Sequence, residues 1–470
     1  MTVYSIFTYV GIAALLLTAL RFWIARPQNW LICYLQNFIG ALFIFSGFVK
    51  AVDPLGTSYK MHEYFEAFAQ EGFRPMWEYL ATWSTPMSIL MIAAELFFGF
   101  TLLIGWLPRF SVTIVWWLTL FFTILTGYTY LSGYCITTLF VALSTAAVVM
   151  LAAVPLISKV NIKNLTLLAG LLFVAALFFW FKSESFGCAF TETKMKVTDC
   201  GCFGDFIKLK PWETFYKDVF LDVLILILVL GYKDITSVFS KAKVTFAMTG
   251  AALFSSIVCL YHVYWNEPSI DFRPYKVGNN IAELRKEVKP AVIEMTFVYK
   301  NKKTGEQKAY TMNELTSLNY DEVEFVERKD VVKDPGIPAK ISNLFIEDNE
   351  GQNITDAILS EPRYTFLVVS PNIGKTNEEA FKALNAIAEA ATKSGAKFYA
   401  VVRNEGNMEQ FKKKVNATYP FYHADETPLK TMIRSNPGLL LLKEGVVVNK
   451  WHYRHLPTVE ELKKTYFTSK

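Results

Sequence analysis

The sequence predicts a polytopic α-helical membrane bundle of about eight transmembrane helices, followed by a soluble α/β domain outside the membrane. Three observations carry this reading. Of 470 residues, 53% are hydrophobic and only 19% charged, which is too apolar for an ordinary soluble domain. The apolar excess lies before residue 266, in stretches long enough, or nearly so, to cross a hydrocarbon core of about 30 Å as helices. Beyond the segment from Pro268 to Pro274 the apolar runs shorten and charges become frequent, which marks a change of solvent.

Taken in order, the expected spans are 3–24, 31–52, 86–107, 111–131, 135–157, 164–181, 214–231 and 245–265. The first is an anchor and not a cleavable signal, because MTVYSIF lacks a basic leading region and Arg21 and Arg26 follow the apolar run. With the N-terminus outside, every inward loop holds a basic residue: Arg21 and Arg26, then Arg109, then Lys159 and Lys163, then Lys233, Lys241 and Lys243. The outer loop 182–213 mixes lysines with Glu184, Glu192, Asp199, Asp205 and Glu213. An even number of crossings returns the chain outside, so this loop and everything after Glu267 are expected in the periplasm of a bacterial inner membrane. The domains follow: a leading helix at 1–30, a bundle at 31–265, a connecting region at 266–339 and a folded domain at 340–470. The net charge of +5 fits a basic inner rim, and without a concentrated basic stripe it argues against nucleic acid. The expected partners are membrane lipid and a periplasmic or membrane protein.

The run Asp199-Cys200-Gly201-Cys202-Phe203-Gly204-Asp205 lies in the outer polar loop, beside the membrane surface. Cα atoms two residues apart fall roughly 5.5 to 7 Å apart, near the upper edge of what a disulfide tolerates. A Cys200–Cys202 bond would be strained and so easily reduced, which suits an exchanging pair. Cys135 and Cys188, also on the outer side, are candidates for a second pair, and the four permit three full pairings. The alternative is that these cysteines staple loops. Cys259 and His262 share a face of the last span, where an inert buried cysteine competes with a resolving thiol.

Charges inside the expected spans form a second signal. Glu95 and Asp222 each fall roughly 12 to 14 Å below the outer ends of their helices, and Lys50 can reach inward from the end of its own. A carboxylate facing lipid costs roughly 2.5 to 3.5 kcal/mol, so these groups should face the bundle and form a cluster of Lys50, Glu95 and Asp222. A structural ion pair and a proton relay are the two readings of that cluster. Tyr59, His62 and Tyr64 fall in the second outer loop as an interfacial aromatic group. No zinc spacing, phosphate loop or nucleophile elbow is present.

Gly40 to Tyr64, with Ser46-Gly47-Phe48-Val49-Lys50 and Asp53-Pro54, followed by Glu95-Leu96-Phe97-Phe98-Gly99, resembles the DoxX family of small four-helix membrane proteins. The block Asp199 to Gly204 resembles MauE-type membrane proteins, which implies methylamine utilisation and disulfide formation in a periplasmic partner. From about 363 onward the order of short apolar strands and amphipathic helices resembles the thioredoxin fold, over roughly 340–467. Asn343 to Gly351 is similar to the strand and turn that precede its core in membrane-tethered thiol reductases, and Ser435-Asn436-Pro437-Gly438 to the loop that carries their cis proline, Pro437. Where those proteins place two reactive cysteines, this chain has Ser370-Pro371-Asn372-Ile373-Gly374, and it has no cysteine beyond Cys259. The domain is therefore expected to dock or present a partner without exchanging thiols itself.

Together these features imply thiol and disulfide handling through Cys200 and Cys202. No cofactor is evident; a quinone could accept the electrons at the membrane, although no residue marks a site for it. The rival is a non-enzymatic scaffold in which the bundle anchors a thioredoxin-like binding domain. A transporter is disfavoured, since no internal repeat of broken helices is found. Residues 276–340 contain strands, Val292 to Tyr299 and Val323 to Arg328 among them, to which the sequence assigns no role.

Overall fold

Long apolar helices make up the first of two units in the computed structural model, Met1–Ile270, and sheets dominate the second, Asp271–Lys470. The structure describes residues 2–24, 26–133, 138–153, 201–204, 206–207, 209–239, 242–290, 292–334, 336–337, 339–403 and 408–467, with isolated positions between 170 and 197.

In the first unit the helices are α1 (Val3–Ile24), α2 (Trp30–Val52), α3 (Pro54–Glu71), α4 (Arg74–Thr82), α5 (Ser84–Ile104), α6 (Pro108–Leu131), α7 (Thr138–Ala153), α8 (Pro211–Leu230) and α9 (Ala242–Trp265). Among the described residues, α1, α2, α5 and α6 are long and apolar enough to cross a membrane. The remaining expected spans are less clear-cut. The apolar helix α7 has 16 described residues, α8 carries Glu213, Lys217, Asp218 and Asp222 within its 20, and the span expected at 164–181 lies outside the described residues except at 170, 171 and 174.

The segment expected as the second outer loop is built of the helices α3 and α4. Asp53 caps α3 by accepting a hydrogen bond from the Gly56 N–H at 3.2 Å, and Pro54 occupies the first turn, where its missing N–H costs nothing. Of its aromatic group, Tyr64 is buried with its hydroxyl 2.7 Å from Thr129 Oγ1 on α6, and His62 Nδ1 lies 3.0 Å from the Ala81 carbonyl of α4.

Small residues set the spacing of α2 and α5. A Cβ on Gly99 would lie 2.9 Å from the Ile44 nitrogen, one on Gly40 2.9 Å from the Gly99 carbonyl, and one on Gly47 2.9 Å from Leu96 Cγ. Only glycine admits this approach, as at close helix crossings in membranes generally. The same crossing brings the C-terminal turn of α2 level with the middle of α5, which positions the site described below.

In the second unit, β1 (Val292–Asn301), β2 (Gln307–Thr311) and β3 (Val323–Asp334) form an antiparallel sheet in the order β2-β1-β3. A five-stranded sheet follows, β4 (Thr365–Ser370), β5 (Lys397–Val402), β6 (Phe421–His423), β7 (Gly438–Lys443) and β8 (Val446–His452), in the order β6-β5-β4-β7-β8. Strands β4, β5 and β6 are parallel, and β7 runs antiparallel to both β4 and β8. All six residues of β4 are buried, as a central strand covered on both faces requires. Phe366 and Val368 pack beneath helix α12 (Ala380–Lys393), while Leu367 and Val369 meet Leu429 and Met432 of α14 (Glu426–Met432) on the other side. The remaining short helices are α10 (Ile281–Leu284), α11 (Thr355–Leu359), α13 (Met408–Lys414) and α15 (Val459–Leu462), the last followed by a π-helical turn at Lys463–Phe467.

Two details differ from the sequence reading. Asn343 to Gly351 forms no strand: Glu347 makes only isolated bridges to Asn353 and His423, because Asp348 accepts from the Glu350 and Gln352 N–H groups and tightens a turn at Gly351. The connecting region is also part of the fold. It supplies the three-stranded sheet, and Tyr275 and Ile281 enter the core beside Leu440 and Leu442.

Candidate functional site

Of the cysteine block, the structure describes Gly201 to Gly204. Cys202 is 7% exposed and Phe203 is buried with it, both in the main core of the bundle. Phe203 and Phe206 each bring a ring centroid to 6.0 Å from that of Phe45 on α2. A tight turn makes this insertion feasible: Gly201 and Gly204 adopt φ of +63° and +50°, and the Gly204 N–H bonds the Gly201 carbonyl at 3.0 Å. A side chain would strain both positions. Two aromatic rings following two glycines thus plug a polar-looking segment into an apolar interior.

A small cavity of about 40 Å³ lies beside Cys202, lined by Ser46, Lys50, Glu95, Lys217 and Asp218 among others. Such a volume holds about one water. Two buried ion pairs flank it. Lys50 Nζ meets Glu95 Oε1 at 2.5 Å, with side chains 3% and 1% exposed. Lys217 Nζ meets Asp218 Oδ1 at 2.7 Å on α8. Each carboxylate has a further donor: Ser46 Oγ lies 3.1 Å from Glu95 Oε2, and Thr126 Oγ1 donates to Asp218 Oδ2 at 3.0 Å. The single Ser46 proton is shared with the Cys202 carbonyl at 3.4 Å, which links the acidic group to the cysteine turn. Both ammonium groups also sit over aromatic faces, Lys50 at 4.5 Å from the Phe122 centroid and Lys217 at 5.1 Å from that of Phe203.

The sequence named Lys50, Glu95 and Asp222 as one cluster; the structure brings together the first two, with Asp218 in place of Asp222. Asp222 accepts from Thr123 Oγ1 at 2.7 Å and does not line the cavity, and its Oδ1 is buried without a hydrogen-bond partner among the described residues. Asp218 stands one helical turn earlier on the same face, so both were legible as acids in an apolar helix. The adjacent Lys217 was the signal that distinguished them. Cys135, Cys188 and Cys200 lie outside the described residues, as do the side chains of Cys259 and His262.

In the second unit the Asn436–Pro437 peptide is cis. The loop after β4 is tied to it: Ser370 Oγ donates to Asn436 Oδ1 at 2.7 Å, and Asn436 Nδ2 donates to the Asn372 carbonyl at 2.7 Å. The Ser370 hydroxyl and the Asn436 side-chain amide thus join the loop after β4 to the loop before β7. Among the described residues, no group of three or more His, Cys, Asp or Glu is placed to hold a metal ion.

Apolar helices of this length around buried ion pairs define an integral membrane protein in contact with lipid. Residues 28–137 match the family model of the methylamine utilisation protein MauE. The matched segment runs from α2 past α6 and includes Lys50 and Glu95, and it ends before the cysteine turn. No curated protein and no solved structure matches the chain.

Proposed function

We propose that this MauE-like membrane protein handles thiols and disulfides outside the cytoplasm, with Cys200 and Cys202 as the exchanging pair and a partner protein as substrate. The observation that carries this reading is the setting of Cys202, buried beside a small cavity that also holds the Lys50–Glu95 and Lys217–Asp218 ion pairs. Lys50 and Lys217 would face the sulfur during exchange, while Glu95 and Asp218 keep the cavity near neutrality. The matched family's description names methylamine utilisation, and maturation of a partner protein would be one role there that uses thiol exchange.

The second unit would present the partner. A strand order of β6-β5-β4-β7-β8 with a cis proline before β7 favours a thioredoxin-like domain, and the lack of cysteines beyond Cys259 leaves it docking without exchange. The charge pattern of the loops favours a periplasmic location for it in a bacterial inner membrane. That lack of cysteines also favours the scaffold reading, in which the cysteines only brace the bundle.

Replacing Cys200 or Cys202 singly with serine and trapping with acid and alkylation should accumulate a mixed disulfide with the partner. Unchanged thiol states across the periplasmic proteins of cells lacking both cysteines would overturn the reading in favour of the scaffold.

A further inference from the structure

A second, larger cavity of about 280 Å³ is also lined by Cys202. Its volume is close to the lower bound of small-molecule sites, roughly 300 to 1,000 Å³. Lys50, Phe122 and Cys202 line both cavities.

Three features restrict what fits. The walls favour a flat apolar body, with the Trp77 ring 5.0 Å from Phe68 and stacked at 6.1 Å on Phe65. One wall contains an unmet polar group: Thr57 is 8% exposed, and its Oγ1 is buried with no hydrogen-bond partner among the described residues. A hydroxyl left so is costly, and an acceptor oxygen on the occupant would satisfy it. Another wall includes Phe121 and Ile124, which are exposed on the outer surface of α6, one of the membrane-crossing helices. The cavity therefore adjoins lipid, and its occupant arrives through the bilayer. A planar, lipid-soluble ring that carries carbonyl oxygens meets all three conditions.

We infer that a membrane quinone binds in this cavity and is the electron acceptor for the Cys200–Cys202 dithiol; the electron-transfer half rests on the thiol reading above, whereas the binding half stands without it. Two S–H bonds break and one S–S bond forms. The two electrons and two protons released pass to the quinone, whose carbonyl oxygens become the hydroxyls of the quinol. Thr57 donates to one carbonyl, and Lys50 places positive charge where negative charge develops on the ring oxygens.

The test uses the full chain in lipid nanodiscs with a photoreactive azidoquinone, and decylubiquinone as competitor. Crosslinks should map to α3, α4 and α6 around the cavity and be displaced by the competitor. Met61→Trp, which fills the cavity, should cut labelling at least tenfold, and Thr57→Val roughly fivefold, the equivalent of one hydrogen bond. Cys202→Ser should still be labelled. Should Met61→Trp fail to fold, Thr57→Val decides. Labelling spread along the lipid face, or unaffected by Thr57→Val, would overturn the site. Reduced wild-type protein mixed with decylubiquinone should yield one quinol per two thiols, and Cys202→Ser none; bound quinone without quinol would overturn the electron transfer. Quinol formation without any trapped partner would instead count against the partner-directed function alone.

Discussion

Lys50 on α2 and Glu95 on α5 meet at 2.5 Å inside the bundle, almost wholly out of contact with solvent. The Coulomb energy of such a pair has to offset the removal of both charges from water, so its parts are far less replaceable than the whole. Lys50→Met alone should destabilise the bundle by about 3 to 5 kcal/mol, because Glu95 is left buried and unpaired. Lys50→Met with Glu95→Leu should recover most of that loss. The SDS fraction that unfolds the purified protein measures both. A double variant no more stable than the single one would show that the pair is not the unit of stability.

The glycines that bring these helices together give a second prediction. Gly99→Ala places a Cβ 2.9 Å from the Ile44 nitrogen and 3.0 Å from the Gly40 carbonyl, backbone atoms that cannot rotate away. The helices must part, at a cost of roughly 1 to 3 kcal/mol. Gly250→Ala on α9 meets nothing within 4 Å and should be neutral, or stabilising by about 0.5 to 1 kcal/mol. The same unfolding assay compares them, and equal effects would contradict the packing argument.

Much of this was legible in the sequence for a simple reason. Lys50 and Glu95 are ionisable groups in apolar runs, and lipid leaves such groups few places to point. The strands from Thr365 onward were legible because buried parallel strands read as continuous apolar runs, as Thr365–Ser370 does. What escaped were features set by tertiary contact. The insertion of Cys202 depends on Phe203 and Phe206 finding Phe45, and a polar-flanked sequence block does not reveal that. The helix at Pro54 had a local signal, an Asp-Pro start, that was outweighed by the polar composition of the segment.

Burial of Cys202 can be read directly by its reactivity. With the other five cysteines replaced by serine, a water-soluble maleimide should label Cys202 slowly in native membranes and fast in denaturant. Gly201→Ala should accelerate native labelling, because a side chain at φ +63° costs roughly 1 to 2 kcal/mol and its Cβ would press on Lys60 Cγ at 3.1 Å. Fast labelling of the unaltered turn would mean that Cys202 spends most of its time at the surface.

The last prediction concerns the second unit and acid. Burial disfavours the charged form of Asp271, but Arg273 and Lys450 outweigh it and hold the carboxylate at about 2, below the usual 3.8. Its oxygens accept from Arg273 Nε at 2.7 Å and from Lys450 Nζ at 2.9 Å. Burial, with Arg454 and His455 nearby, lowers His452 from 6.5 to about 4. In both groups the folded value is depressed, so the unfolded chain takes up the proton first as pH falls. Stability is complete above about pH 6.5. It should decline by about 3 kcal/mol between pH 6.5 and 4 as His452 is charged only in the unfolded state, then by about 2 kcal/mol more towards pH 2 through Asp271. A fluorine label on Trp451 in β8 reports unfolding of this unit in urea. His452→Gln should flatten the upper window and leave the lower one. Asp271→Asn should lower the neutral plateau and shrink the lower window, since a neutral amide has no proton to gain. Glu314, Asp334, Glu361, Glu389 and Glu461, also held below their usual values, keep a residual slope. A profile that keeps both windows in both variants would assign the acid sensitivity to other groups.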